Sequence, residues 1–260
     1  MLFVNNRVGY EITKWLIDRG ENIVGIVLHP YSTAKYRSKI LEAVKNVSPT
    51  VIDAAMLGSS DTVISISHLS PDIGVCAYFG FILKKEIINI FQRGIVNIHP
   101  SYLPYNRGAH PNVWSIIDET PAGASIHWID EGIDSGDIID RIKIDIDITD
   151  TGESLYYKLE EACICIFKKN WCDIKYGRHG RTRQNLSEGT FHRVADLSSV
   201  SYIDLNRWYK AKDIIDQIRA LTFRGYKGAY IVENGERIYL RLELLRESDI
   251  EREGSLREPM

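Results

Sequence analysis

The chain of 260 residues is 44% hydrophobic and 26% charged, a balance that excludes disorder of its main body and allows one sizeable core with a smaller appended unit. Its formal charge of −3 gives no general attraction to phosphate backbones, which disfavours nucleic acid as the main partner. No apolar run approaches the roughly 20 residues that span a bilayer, and the start MLFVNNRVGYEI lacks the pattern of a signal peptide, so a cytoplasmic protein is expected.

The first elements read as strand, helix, strand. Leu2 to Val4 is a short apolar run, Val8 to Arg19 has helical apolar spacing with Gly20 as its stop, and Ile23 to Leu28 is an apolar run of strand length closed by His29 and Pro30. Asn5, Asn6 and Arg7 lie where doubly wound folds put a phosphate turn, but without the repeated glycines of a dinucleotide fingerprint, so bound NAD is not expected. Those three residues fit equally a substrate-facing edge or a capped turn. A helix over Thr33 to Lys45 and a brief strand over Thr50 to Asp53 follow. Asp61 to Leu69 stays ambiguous, since IleSerIleSer alternates like a strand where a helix is due.

Ile73 to Ala77 is a more secure strand. It runs into TyrPheGlyPheIleLeu, residues 78 to 83, and a helix over Lys84 to Phe91. Gly94 to Ile98 is the next strand, and it ends on Asn97 and His99 just before Pro100 and Pro104 turn the chain into a loop. Side chains two apart on an extended segment share a face, so the amide and the imidazole can look into one cavity. A helix over Pro111 to Ile117 follows the loop.

Ala124 to Ile129 and Ile138 to Ile146 read as an antiparallel pair, because the connection between them is too short for a crossover helix. That connection, AspGluGlyIleAspSerGlyAsp, carries Asp134 back toward the same sheet edge and offers a carboxylate to orient the imidazole. His127, inside the alternating strand, fits a structural role as well as a functional one, and Asp130 and Asp137 read as loop acceptors. Asp150 with Glu153 predicts a capping box that opens a helix to about Trp171.

Composition changes at Lys175. The stretch LysTyrGlyArgHisGlyArgThrArgGlnAsn is basic, contains glycine and has no apolar periodicity, so it reads as a linker or exposed loop. Its arginines, Arg178, Arg181 and Arg183, with Arg193 beyond, are solvated or neutralise a diphosphate. Asp213 to Leu221 is a helix, Gly228 to Val232 and Arg237 to Leu244 flank the hairpin signal Asn234-Gly235, and a charged tail expected to fray begins at Arg246. The division expected is 1–175, 176–203 and 204–260. Cys76, Cys163, Cys165 and Cys172 show no zinc-ligand spacing and are expected as reduced, mostly core thiols, with no structural metal.

Asn97, His99, Pro100, Ser101, Leu103 and Pro104, followed by His127, Asp134 and Gly136, resemble the signature of the N10-formyltetrahydrofolate-dependent formyltransferases, Asn-x-His-Pro-Ser-x-Leu-Pro and then His-x-x-x-x-x-x-Asp-x-Gly. Ser135 departs from it at a second glycine position. Tyr105 to Gly108 and the tail ArgAlaLeuThrPhe…TyrLysGlyAlaTyr resemble the sugar N-formyltransferases in particular. The resemblance implies an α/β fold, a Rossmann-like formyltransferase core with a mostly parallel sheet and a small C-terminal α+β unit containing a β-hairpin. It also implies catalysis by Asn97, His99 and Asp134, and N10-formyltetrahydrofolate held by Phe79, Gly80, Phe81, Ile82 and Leu83. Substrate contacts would come from Tyr105, Asn106, Arg107, His110 and Arg193, and a homodimer is expected through the helix and hairpin of 204–244. GDP-perosamine, for lipopolysaccharide O-chains, leads as acceptor. Sugars carrying a 3- or 4-amino group on dTDP, a formyltetrahydrofolate hydrolase and a non-catalytic folate or nucleotide-binding module are the alternatives. An initiator-tRNA acceptor would call for a basic C-terminal domain, which 196–260 does not offer.

Overall fold

The computed structural model describes residues 1–253. Leu2–Val4 (β1), Asn6–Asp18 (α1), Gly25–Leu28 (β2), Arg37–Val44 (α2) and Thr50–Asp53 (β3) form the first half of the sheet and two of its helices. Ser60–His68 (α3), Gly74–Ala77 (β4), Lys85–Ile88 (α4) and Ile95–His99 (β5) extend it. Next come Arg107–Gly108 (β6), Pro111–Ile117 (α5), Ala122–Trp128 (β7), Ile138–Ile144 (β8) and the long helix Gly152–Tyr176 (α6). Phe191–His192 (β9), Leu197–Ser201 (α7), Ala211–Ala220 (α8), Tyr230–Glu233 (β10), Glu236–Tyr239 (β11) and Glu247–Glu253 (α9) complete the chain order.

Seven strands form one sheet in the order β3-β2-β1-β4-β5-β7-β8. The first five of that order pair in parallel, whereas β5 with β7 and β7 with β8 pair antiparallel, so the expected mostly parallel Rossmann-like sheet is present with an antiparallel edge. Period-2 alternation divides the core between the two faces. Leu2 and Val4 of β1 pack on one side with Val8, Ile12 and Leu16 of α1 and Phe167 of α6, while Phe3 packs on the other with Ile66 of α3 and Ile87 of α4. Each such fully buried aliphatic or aromatic side chain contributes about 1.5–3 kcal/mol. That exceeds what a solvent-screened, exposed ion pair such as Lys14–Asp18 contributes, so burial on the two faces decides the fold.

Several sequence expectations need correction. The ambiguous segment 61–69 is the helix α3, started by Ser59, whose hydroxyl accepts the Thr62 amide. Helix α2 begins at Arg37 and not at Thr33, because the Thr33 and Ala34 amides turn back onto the Pro30 carbonyl and Tyr36 sits at φ 62°. Helix α4 is one turn rather than the expected run to Phe91. The box that opens α6 is Thr151 with Ser154, not Asp150 with Glu153, and the helix continues past Trp171 to Gly177, whose φ of 67° ends it. Of the four cysteines, Cys76 and Cys163 are buried, but Cys165 is exposed and Cys172 half-buried.

The hairpin turn is as expected, with Asn234 and Gly235 both at positive φ, but its strands are Tyr230–Glu233 and Glu236–Tyr239, so the second stops well short of Leu244. The tail expected to fray at Arg246 instead forms α9, and its remainder, 254–260, lies outside the described residues. The basic stretch after residue 175 packs on the core. Thr182 bridges to Ile138, β9 pairs with β6, and His192 stacks on Trp114 with centroids 4.0 Å apart while meeting Asp118 at 3.0 Å. Among the described residues, no helix is long and apolar enough to cross a membrane.

Candidate active site

Asn97 and His99 point from one face of β5, and the β5–β7 register sets His127 directly opposite Asn97. Asp134 reaches both from the β7–β8 connection. Its Oδ1 accepts from Asn97 Nδ2 at 3.1 Å and lies 3.3 Å from His127 Nε2, and its Oδ2 accepts from the Gly108 amide at 3.0 Å and lies 3.5 Å from His99 Nδ1. Burial alone would raise the carboxyl pKa, but the facing His99, the neighbouring His127 and the bond from the Gly108 amide outweigh it and hold Asp134 well below the usual carboxylate range. The carboxylate is therefore ionised.

Two glycines make this convergence possible. At Gly136 a Cβ would stand 1.9 Å from the Trp128 carbonyl, and at Gly108, where φ is +87°, 2.3 Å from that of His192. Asp134 itself sits at φ 50°. Its loop is tied down by Asp130, which accepts from the Gly132 amide and the Ser135 hydroxyl, and by Gln184, whose amide donates to the carbonyls of Asp134 and Gly136. Gln184 comes from the basic stretch, and no local pattern marks it for this task.

The protons can be assigned from acceptors that have no alternative role. His99 Nε2 lies 3.1 Å from the Asn106 carbonyl, so that nitrogen carries hydrogen and Nδ1, beside Asp134, is the one free to gain or lose a proton. His127 Nδ1 likewise donates to the Trp128 carbonyl at 2.8 Å, which turns Nε2 toward Asn97 Nδ2 at 3.1 Å and toward Asp134. Asn97 is thus held edge-on between a carboxylate and an imidazole.

These residues line an open cleft of about 570 Å³. Phe79, Gly80, Phe81, Ile82 and Leu83 form one wall, while His110, Phe191, His192 and Arg193 lie along another part of the lining. His110 Nε2 is buried with no protein partner, and burial lowers its pKa. Tyr78 and Tyr156, not singled out by the sequence, also line the cleft.

Other expected site residues stand elsewhere. Asn106 is fully buried, its side-chain amide donating to Ser115 and Thr120 and accepting from Thr190, so its substrate contact is corrected to a structural role behind His99. Tyr105 and Arg107 are not among the lining residues; the guanidiniums of Arg107 and Arg193 lie 5.9 and 6.0 Å from the Phe191 ring. Asn6 and Arg7 bind the α6 residue Glu160, and Asn6 also meets the Tyr156 hydroxyl, so these two brace α1 against α6. Among the described residues, no cluster of three or more His, Cys, Asp or Glu side chains could hold a metal ion.

The chain is similar to several known proteins. The sequence model described as Formyl transferase matches residues 17–167, and that described as N-formyltransferase dimerization C-terminal domain matches 196–247. A methionyl-tRNA formyltransferase of Clostridioides difficile is 31% identical, the match covering 80% of this chain and 68% of the relative. A dTDP-4-amino-4,6-dideoxyglucose formyltransferase of Mycobacterium bovis is also 31% identical, over 60% of this chain and 67% of the relative. A solved 4-N formyltransferase from Francisella tularensis superimposes with a TM-score of 0.78 at 26% identity, covering 94% of this chain and 98% of that one.

Proposed function

The chain belongs to the formyl transferase family, and from that premise we propose that it moves the formyl group of N10-formyltetrahydrofolate onto the amino group of a nucleotide-linked 4-amino-4,6-dideoxysugar. The observation that carries the reading is the meeting of Asn97, His99 and Asp134 beside an apolar wall in one cleft. A flat pterin with a fixed edge of donors and acceptors suits an apolar slot with backbone amides, which assigns Phe79 to Leu83 to the donor.

The neutral amine attacks the formyl carbon, and the new C–N bond leaves negative charge on the formyl oxygen and positive charge on the nitrogen. Asn97 stabilises the oxyanion by turning to it the N–H now directed at His127. His99 takes the ammonium proton at Nδ1, with Asp134 stabilising the imidazolium, and passes it to N10 as the C–N10 bond breaks. Tetrahydrofolate and the formamide leave, and the histidine returns to its starting state.

Arg193, in the cleft lining, and Arg107, outside that lining but beside the same Phe191 ring, are the cations we assign to a diphosphate. Alanine at either should raise the KM for the sugar nucleotide with little change in kcat, and an unchanged KM in both would remove them from that site. The base is open between two sugars. GDP-perosamine, whose formamide would enter lipopolysaccharide O-chains, is the acceptor that the sequence resemblance favours, but the name of the M. bovis relative brings a dTDP-linked sugar level with it. Steady-state assays with GDP- and dTDP-linked amino sugars decide between them, and no product from either would defeat the reading. A tRNA acceptor is disfavoured by the net charge of −3 and by the Asp and Glu mixed through the C-terminal unit.

We divide the chain into a catalytic unit, 1–175, a connecting segment, 176–203, and an association unit, 204–260. The last exposes Val232, Ile238, Tyr239 and Trp208, apolar area suited to a second copy. Light scattering should give the mass of a dimer, and a monomer at micromolar concentration would contradict this.

A further inference from the structure

We propose that His29, at the end of β2, is the positioning residue that sets the shape of the donor wall, by accepting the Gly80 amide through Nε2. The proposal rests on the assignment of residues 79–83 to the folate donor. Strand β2 neighbours β1, and β1 neighbours β4, so the His29 ring reaches across the end of β1 to the loop that leaves β4. Gly80 N lies 3.2 Å from His29 Nε2. Among the described residues this is the one hydrogen bond made by the backbone of 79–83.

The same ring wedges both aromatic side chains of the wall. It meets Phe79 edge-on at 5.3 Å and Phe81 edge-on at 4.9 Å, and those two rings lie 5.5 Å apart. Behind it, Arg37 of α2 donates to the His29 carbonyl and stands 3.7 Å from Asp53 of β3. Asn5, from the β1–α1 junction, lies 3.4 Å from His29 Nδ1, but its amide nitrogen is a donor, so with Nε2 accepting from Gly80 and the ring proton on Nδ1 this contact is not a hydrogen bond. A short, otherwise untied loop is therefore tied by one buried side chain, whose own backbone carbonyl is held by Arg37, itself paired with Asp53.

An N–H donor at Nε2 requires a lone pair there, so the ring must be neutral with its proton on Nδ1. Burial lowers the His29 pKa, and the Asp53 carboxylate only partly opposes this. The facing groups are Asp53, Arg37, the Asn5 amide and the two phenyl rings. A base whose folded-state pKa is depressed keeps its stabilising contact above its ordinary pKa and loses it as pH falls through the lowered value. Protonation would set an N–H against the Gly80 N–H and release the wall.

The test compares wild type with H29A and H29Q, since a glutamine oxygen can occupy the Nε2 position as an acceptor. Hydrogen exchange of a peptide spanning 78–83 and titration with 5-formyltetrahydrofolate are measured on the full chain. H29A should exchange faster in that peptide, bind the folate about three- to tenfold more weakly and raise the donor KM more than it lowers kcat, with H29Q restoring most of each. In wild type the folate affinity should weaken below neutral pH, and in H29Q it should stay flat over the same range. Should H29A be poorly folded, the pH profiles of wild type and H29Q decide alone. Wild-type protein that binds no folate would sink the donor assignment, while the exchange comparison would still judge the tie to Gly80. Folate binding and exchange identical in wild type and H29A, or the same pH profile in wild type and H29Q, would overturn the role of His29.

Discussion

Alanine at His99 should lower formyl transfer by about 100-fold or more, the scale of a lost general acid-base group, and leave the protein folded. The expectation follows from how few alternatives the site holds. His99 Nε2 is committed to the Asn106 carbonyl, so Nδ1 is the nitrogen that can accept a proton, and Asp134 waits 3.5 Å away to stabilise the resulting charge. His127 cannot take over, because its Nδ1 is held by the Trp128 carbonyl and its Nε2 already faces Asn97 and Asp134.

Alanine at Asp134 should cost as much for a different reason. It removes the counter-charge of two imidazoles and the acceptor of both Asn97 and the Gly108 amide at once. Alanine at Asn97 removes the proposed oxyanion donor, worth a similar factor. The losses should appear in kcat, with sugar-nucleotide KM little changed, since in the proposed mechanism the three groups act on charge that develops during the reaction. Turnover within a few-fold of wild type in all three variants would take them out of the chemistry.

The largest effect on stability should come from Arg219→Ala. Arg219 on α8 is 6% exposed and pairs with Asp216, 4% exposed, through Nε at 2.6 Å. It also donates to the carbonyls of Asp147 and Asp150, in the segment that leads from β8 into α6. Truncation leaves a buried carboxylate served only by Lys212 and two carbonyls without that donor, a loss of about 3–5 kcal/mol. Arg219→Lys should recover little, because one ammonium cannot reproduce the fork of donors. The exposed pair Lys14–Asp18 provides the contrast, where Lys14→Ala should leave the unfolding midpoint close to that of wild type because solvent screens the pair. Urea unfolding followed by circular dichroism measures all three, and an Arg219→Ala midpoint equal to wild type would refute the assignment.

Much of the site was legible because it depends on local geometry. Asn97 and His99 share a face by strand periodicity alone, and the short connection after Trp128 could only bring Asp134 back to the same edge. The hairpin at Asn234-Gly235 was equally plain, since its turn needs positive φ at both residues. What escaped the sequence depends on partners distant in the chain. Asn106 looked like a substrate contact from its place on a loop beside the site, but Ser115, Thr120 and Thr190 consume its amide. Segment 176–203 showed no periodicity because it adds single ties, at Thr182, Gln184 and His192, to surfaces built by other residues. Segment 61–69 alternates in composition, yet the Ser59 cap decides for a helix.

Donor consumption measured with and without an amino-sugar nucleotide, alongside the formamide product, examines the central chemistry most directly. Tetrahydrofolate should be released only when the amine is present, in step with the formamide, and His99→Ala should lower both together by the same factor. Equal release without the amine would instead make water the acceptor and contradict the account.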